Sequence, residues 1–229
     1  MKLKNRTNRL FFITIILTAF VSLQVSAQDV VRELKDFREV KTFNGVEVIV
    51  IPSEENRIEI SGHSKEKVKF DVVDYRLELR LSLDNIWSKD NTVITVYGKS
   101  IETIDANEGS IVETRGVLEG KITIIRAQEG AAVFAEVNSE NVKSRAISGG
   151  KITLKGKARE QEVEINSGGH VYARDLKTQN TTVSVSTAGR GEVYASEYVK
   201  ATAKLGGIVE VFGNPAEVDR KTSLGGKIL

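Results

Sequence analysis

The sequence predicts an all-β protein, and within that class a single-stranded β-solenoid (β-helix) with coils of roughly 19–21 residues, clearest from residue 100 onward. Apolar and polar residues alternate along most of the chain, and glycine-containing pairs recur at near-constant spacing. The composition combines 19 Gly with 2 Pro and no Cys. Frequent Gly without Pro indicates regular turns, and a chain without disulfides depends on packing and backbone pairing for its stability.

Strands are predicted wherever β-branched residues alternate with charged ones, because that pattern suits a half-buried pleated surface. In the first half of the chain the clearest candidates are residues 46–51, 57–60, 75–81 and 93–97. Residues 28–36 hold apolar side chains for about one helical turn only, so we expect a loose lead-in there. Residues 37–229 then form one solenoid domain.

A recurring glycine mark precedes most strands of the second half. The marks are Gly109-Ser110, Gly130-Ala131, Gly149-Gly150, Gly168-Gly169, Gly189-Arg190-Gly191, Gly206-Gly207 and Gly225-Gly226. Their closing residues are 21, 19, 19, 22, 16 and 19 positions apart. A β-sandwich would also show regular turn signals, but not the same mark at near-constant spacing. Stacked coils also explain how each short unit buries its apolar face.

The first 27 residues are typical of a secretory signal peptide. Lys2, Lys4, Arg6 and Arg9 precede a short apolar run, and small residues follow it up to Ala27. The apolar run is shorter than the roughly 20 residues that span a bilayer, so we expect no stable membrane span after cleavage. The protein is therefore expected to be exported, to the periplasm, the outer surface or the medium.

Cleavage would also change the net charge. The whole chain has 33 Lys+Arg against 31 Asp+Glu, and removing the four leader cations leaves 29 against 31, a net charge of −2. A near-neutral chain gives no electrostatic argument for nucleic acid as a partner.

The repeated marks resemble those of a known family. Ser148-Gly149-Gly150, Ser167-Gly168-Gly169 and Leu205-Gly206-Gly207 each precede an alternating strand, as in the putative auto-transporter adhesin family with a head GIN domain. The opening at residues 37–48 and the close at residues 209–215 are also similar to that family. The resemblance implies a β-helical, secreted or envelope-associated bacterial protein, and it brings no catalytic residues.

The sequence offers no catalytic, cofactor or metal site. After residue 100 the aspartates are Asp105, Asp175 and Asp219, which fall in different parts of their coils. His63 and His170 are the only histidines, and no third ligand stands at a spacing that suits zinc. The alternative is a carbohydrate-processing enzyme, a lyase or hydrolase. Such an enzyme needs clustered acids on one face of the helix, and these aspartates are not expected to stack there.

One candidate binding stripe emerges from the repeat. The third residue after each mark should face outward, and three of these residues are aromatic: Phe134, Tyr172 and Tyr194. Exposed rings in one column could bind sugar rings or a partner subunit. Alternatively, they pack on one another between coils, as cross-strand pairs do.

We therefore predict an exported, non-catalytic scaffold that binds a glycan or an envelope protein. A purely structural oligomeric rod is a further alternative. We also expect self-association through residues 222–229, where the last mark opens a new coil and strand edges invite pairing with another chain.

Overall fold

A computed structural model of the protein describes residues 29–82 and 92–229. The segment expected to be a signal peptide, residues 1–27, lies outside the described residues. The described chain is almost entirely β and forms a β-solenoid of about seven turns, which confirms the predicted fold class. One 3-10 turn, Lys65–Lys67, interrupts the strands.

The strands are β1 (Val30–Glu33), β2 (Glu39–Phe43), β3 (Glu47–Pro52), β4 (Arg57–Ser61), β5 (Val68–Val73), β6 (Arg76–Leu81), β7 (Val93–Gly98), β8 (Thr103–Ala106), β9 (Ile111–Ala127), β10 (Ala132–Ala146), β11 (Lys151–Ile165), β12 (His170–Lys177), β13 (Asn180–Val185), β14 (Arg190–Tyr194), β15 (Tyr198–Lys204), β16 (Ile208–Phe212), β17 (Glu217–Ser223) and β18 (Lys227–Ile228).

Two parallel ladders run along the stack. The first ladder joins β7, β3, the first halves of β9, β10 and β11, then β12, β14, β16 and β18. The second ladder joins β6, β2, β8, the second halves of β9, β10 and β11, then β13, β15 and β17. In the repeat, each coil enters the first ladder through a sharp corner and returns to the second ladder through an open bend.

The glycine marks form the sharp corners. In the corner at residues 147–150 the two central residues, Ser148 and Gly149, have φ of 49° and 75°, and the Gly150 N–H donates to the Ile147 carbonyl at 2.9 Å. This is a type I′ turn, which needs positive φ at both central positions. The corners also bond to one another: the Gly149 N–H donates to the Ser167 carbonyl of the next coil at 3.1 Å.

One corner differs from the prediction. It lies at residues 186–189, where Thr187 and Ala188 have φ of 51° and 57°, and not at Gly189-Arg190-Gly191. With this correction the second central residues of the corners are 109, 130, 149, 168, 188, 206 and 225, at intervals of 21, 19, 19, 20, 18 and 19. The repeat is therefore more regular than the glycines alone suggest.

Alternate residues of both ladders fill a continuous apolar core. Ile152 and Val171 lie opposite each other and are fully buried. Because of the corrected corner, Val171 faces Gly191 in the following coil, whereas Val193 faces Ala173. At Gly191 an added Cβ would lie 3.0 Å from Ile165, so the missing side chain makes room for a larger neighbour inside the coil.

Gln161 is a polar residue within this core. Its side chain is 3% exposed, and neither amide atom has a hydrogen-bond partner among the residues that the structure describes. It lies between Val142 and Thr181 of the adjacent coils.

We expect Gln161→Leu to raise the free energy of unfolding by about 1–2 kcal/mol, because an unpaired buried amide is costly and Leu has a similar volume. Urea denaturation followed by circular dichroism measures the change, with the exposed Glu162→Leu as the control. A loss of stability in Gln161→Leu would show that the amide is satisfied in solution, for instance by a buried water.

The N-terminal end of the stack is capped by antiparallel strands. β4 pairs antiparallel with β7, and β5 pairs antiparallel with β6. β1 pairs antiparallel with β4, so the expected loose lead-in at residues 28–36 is wrong in part: Val30–Glu33 is a paired strand of the cap. The coil made by β2 and β3 lies between the rung of β6 and β7 and the rung of β8 and β9.

Candidate binding surface

One outward column of the first ladder carries two of the three predicted rings. Phe134 and Tyr172 stand in one column of outward residues, with Thr153 between them. Tyr194 does not join this column. Its place opposite Tyr172 is taken by Glu192, and Tyr194 pairs with Phe212 instead. The corner that precedes β14 ends two residues earlier than its glycines suggest, which moves Tyr194 along the strand.

Phe134 is the more exposed ring of the column, at 46%. Ile111 and Val117 of the preceding coil are also exposed, at 41% and 36%, and lie opposite Ala132 and Glu136 of its strand. Glu136 is paired with Lys155 of the next coil at 2.9 Å. Phe134 thus presents an apolar surface with charged groups beside it, which suits contact with an amphipathic ligand.

Tyr172 is half-buried and packs against a neighbour in its own strand. The rings of His170 and Tyr172 are stacked, with centroids 6.1 Å apart and an interplanar angle of 21°. The alternative interpretation of the stripe is that its rings pack on one another between coils. Phe134 and Tyr172 do not pack in this way, because Thr153 lies between them.

Beside Tyr172 lies an ion cluster that the sequence did not suggest. Glu192 and Glu210 are opposite each other in adjacent coils, and Arg190 contacts both carboxylates. The two side chains are 16% and 23% exposed. A guanidinium between two carboxylates offsets their repulsion, so this pair stabilises the ladder as an ion cluster.

The three aspartates considered for catalysis each face a cation in a neighbouring coil. Asp105 is 3% exposed and lies 3.2 Å from the ammonium group of Lys41. Asp175 is opposite Lys155, and Asp219 is opposite Lys200. Because these acids are apart and locally balanced, they form no acid pair across a groove of the kind that glycoside hydrolysis requires.

The third ring, Tyr194, lies at the open bend between the two ladders. It lines a cavity of about 300 Å³ together with Lys157, Lys177, Gln179 and Ser196. The Lys177 ammonium lies 4.1 Å from the centre of the Tyr194 ring. A Cβ on Gly213 would lie 2.8 Å from two carbons of the same ring, so Gly213 is the residue that lets the ring lie against the next coil.

Two further cavities are lined by neighbouring residues of the same strands. One of about 330 Å³ shares Lys157 and Ala158 with the Tyr194 cavity and extends to Gly120 and Asn138. The other, about 390 Å³ and fully polar in its outward side chains, is lined by residues of the second ladder that include Asn141, Glu160 and Asn180. We call this surface, residues 138–143, 157–162 and 177–182, the bend groove. Its position depends on where each coil turns, which no residue pattern in the sequence indicates.

Neither a metal site nor a membrane-crossing helix is present in residues 29–82 and 92–229. No three His, Cys, Asp or Glu side chains there are grouped so that they could hold a metal ion. No helix in these ranges has the length and apolarity needed to cross a bilayer.

Comparisons with known proteins agree with the fold. The sequence profile of the family described as "Putative auto-transporter adhesin, head GIN domain" matches residues 36–215. No curated protein matches the sequence significantly.

Solved structures resemble the chain over most of its length. A putative adhesin from Bacteroides fragilis is 17% identical with a TM-score of 0.78, covering 90% of this chain and 99% of that one. A putative adhesin from Parabacteroides distasonis is 16% identical with a TM-score of 0.69, covering 88% and 95%. A putative lipid binding protein from the same species is 13% identical with a TM-score of 0.59, covering 89% and 97%. At these identities the likeness concerns the fold.

Proposed function

The chain belongs to the putative auto-transporter adhesin family with a head GIN domain, and from this premise we propose that it is an exported, non-catalytic scaffold that binds a glycan through the outer face of its first ladder. Export rests on residues 1–27, whose basic start, apolar run and small residues are typical of a secretory leader. The periplasm, the outer surface and the medium are all compatible with a fold that needs no thiol chemistry.

The observation that carries the proposal is the outward column of Phe134 and Tyr172. Neighbouring strands are about 4.8 Å apart, so these two rings stand roughly 10 Å from each other on a flat parallel sheet. Aromatic rings supply the apolar surface on which sugar rings stack, while the Tyr hydroxyl stays in water. Glu113, Thr153 and Lys155 flank the rings on the same outer face and offer polar groups to sugar hydroxyls.

Two alternatives have weaker support. For a carbohydrate-processing enzyme, the facing carboxylates beside the column, Glu192 and Glu210, are both held by Arg190. For an oligomeric rod, the supporting feature is a pair of exposed corner residues, Leu205 at 51% and Leu224 at 75%. Self-association through residues 222–229 stays a prediction.

We expect Phe134→Ala and Tyr172→Ala each to weaken glycan binding by about 1–2 kcal/mol, the size typical of aromatic anchors, with little loss of thermal stability. An array of bacterial and host glycans identifies the ligand, and isothermal titration calorimetry then compares the variants. Leu205→Ala is the matched control, since it removes an exposed apolar side chain outside the column.

Two results would count against this role. Unchanged affinity in both ring variants would remove the column from the binding surface. Parallel losses of affinity and melting temperature would show that the rings stabilise the fold instead.

A further inference from the structure

Two lysines face each other in the bend groove, and neither has an acidic partner within residues 29–82 and 92–229. Lys157 of β11 and Lys177 of β12 are opposite residues in the parallel register, and both are exposed. Like charges directly opposite each other in a sheet are destabilising. On its other side Lys157 faces Asn138, so neither neighbour of Lys157 in the ladder is a carboxylate.

Several other outward cations are paired with an acid of the neighbouring coil. Lys143 lies 3.0 Å from Glu162, Arg145 lies 3.3 Å from Glu164, and Lys155 lies 2.9 Å from Glu136. Arg126 does face Arg145, but each of these has an acid opposite on its other side, Asp105 and Glu164 respectively. The nearest acids along the strands of the lysine pair, Glu160 and Asp175, have arginine partners at 3.2 and 3.9 Å.

The ammonium group of Lys177 is held in place. It donates to the Arg174 carbonyl at 3.1 Å and lies 4.1 Å from the centre of the Tyr194 ring. Tyr194 in turn lies against Gly213, where a side chain would collide with the ring. Lys157 and Lys177 stand opposite each other in adjacent strands and both line the cavity of about 300 Å³, so their two ammonium groups can bind one oxyanion from either side.

We propose that Lys157 and Lys177 form a subsite for the acidic group of a glycan, a uronate carboxylate or a sulfate ester. This inference rests on the proposed function and gives its ligand a chemical class. The open cavity of about 300 Å³ and the one that shares Lys157 and Ala158 with it continue across successive coils, as a linear polymer requires. Glu140, Glu160 and Glu162 lie in the same groove, so the surface lacks the broad positive charge that favours an anionic membrane.

The test compares acidic and neutral probes by isothermal titration calorimetry on the full mature chain. The acidic probes are tetragalacturonate and a chondroitin sulfate tetrasaccharide, and the neutral match is methyl-esterified tetragalacturonate. We expect at least one acidic probe to bind about tenfold more tightly than the neutral one, and the double variant Lys157→Gln/Lys177→Gln to remove that preference. The control Lys151→Gln/Lys227→Gln changes the net charge equally, on exposed lysines outside the groove, and should retain the preference.

Further measurements distinguish a glycan from inorganic sulfate or a lipid headgroup, and distinguish failure of the subsite from failure of the proposed function. The acidic-glycan subsite would be overturned if inorganic sulfate bound as tightly as the acidic probes. It would also be overturned if the protein bound phosphatidylglycerol vesicles and neither acidic probe, or bound none of these ligands. A preference that survives in Lys157→Gln/Lys177→Gln would also overturn it. If Phe134→Ala and Tyr172→Ala abolish binding of the neutral probe while the lysine variant has no effect on acidic preference, the proposed function stands and the subsite fails. The reverse pattern supports the subsite and refutes the ring column.

Discussion

Changing Val171 to Asp should unfold the protein or leave it with a small fraction of its stability. Val171 is fully buried and faces Ile152 and Gly191 in the adjacent coils. An uncompensated carboxylate at such a site costs roughly 3–5 kcal/mol, and a whole domain is typically stable by only about 5–15 kcal/mol. Urea denaturation monitored by circular dichroism measures the loss.

Thr153→Asp is the matched control for Val171→Asp. Thr153 is exposed and lies in the strand next to Val171, so the same charge stays in water there. We expect its free energy of unfolding to stay within about 0.5 kcal/mol of that of the unmodified protein, as for most surface changes. A Val171→Asp protein that unfolds at the parent's urea concentration would mean that this strand does not face the core.

The second large effect is expected at Gly150, the closing residue of a corner. A Cβ there would lie 2.1 Å from the Ala127 carbonyl oxygen and 2.5 Å from its carbon, both backbone atoms of a neighbouring coil. Since neither can move without displacing the ladder, Gly150→Ala should cost about 3 kcal/mol. Thermal unfolding followed by circular dichroism gives the difference.

Gly149→Ala provides the comparison within the same corner. A Cβ at Gly149 meets nothing within 4 Å, although its φ is +75°. The cost should be about 1 kcal/mol, the penalty of a left-handed conformation, and Ala188 already occupies the equivalent position of a later corner at φ 57°. Equal losses in the two variants would show that turn conformation, and not the approach of the next coil, determines where glycine is needed.

Local patterns in the sequence predict much of the fold, because the solenoid repeats local structure. Alternation identifies which residues face the core, and paired glycines identify corners wherever the coils approach closely. They fail at residues 186–189, because Thr187 and Ala188 adopt positive φ without glycine while Gly191 is an interior residue that leaves space for Ile165. Two left-handed non-glycine residues give no recognisable signal.

The candidate surface was predictable only in part. Phe134 and Tyr172 follow from counting outward residues after each mark, and they do share a column. The opposition of Lys157 and Lys177 depends on an irregularity in the pairing between Thr153 and Lys155, which shifts β12 against β11 by one residue. A one-residue shift of this kind gives no signal in the alternation of apolar and polar residues.

The position of the first coil between two later ones has a consequence for folding. Neighbouring coils in the repeat join residues 19 apart in sequence, as at Ala132 and Lys151, whereas Glu39 of β2 pairs with Thr103 of β8, 64 residues away. Loop-closure entropy makes the longer connection about 1 kcal/mol more costly. The regular coils can add one after another onto a formed neighbour, while the first rung pairs with β6, 37 residues away at Glu39 and Arg76, and gains its second neighbour only from the more distant β8. We therefore expect folding to start within the repeat and the capped end to close last, so during synthesis from the N-terminus the first strands emerge long before their neighbours exist.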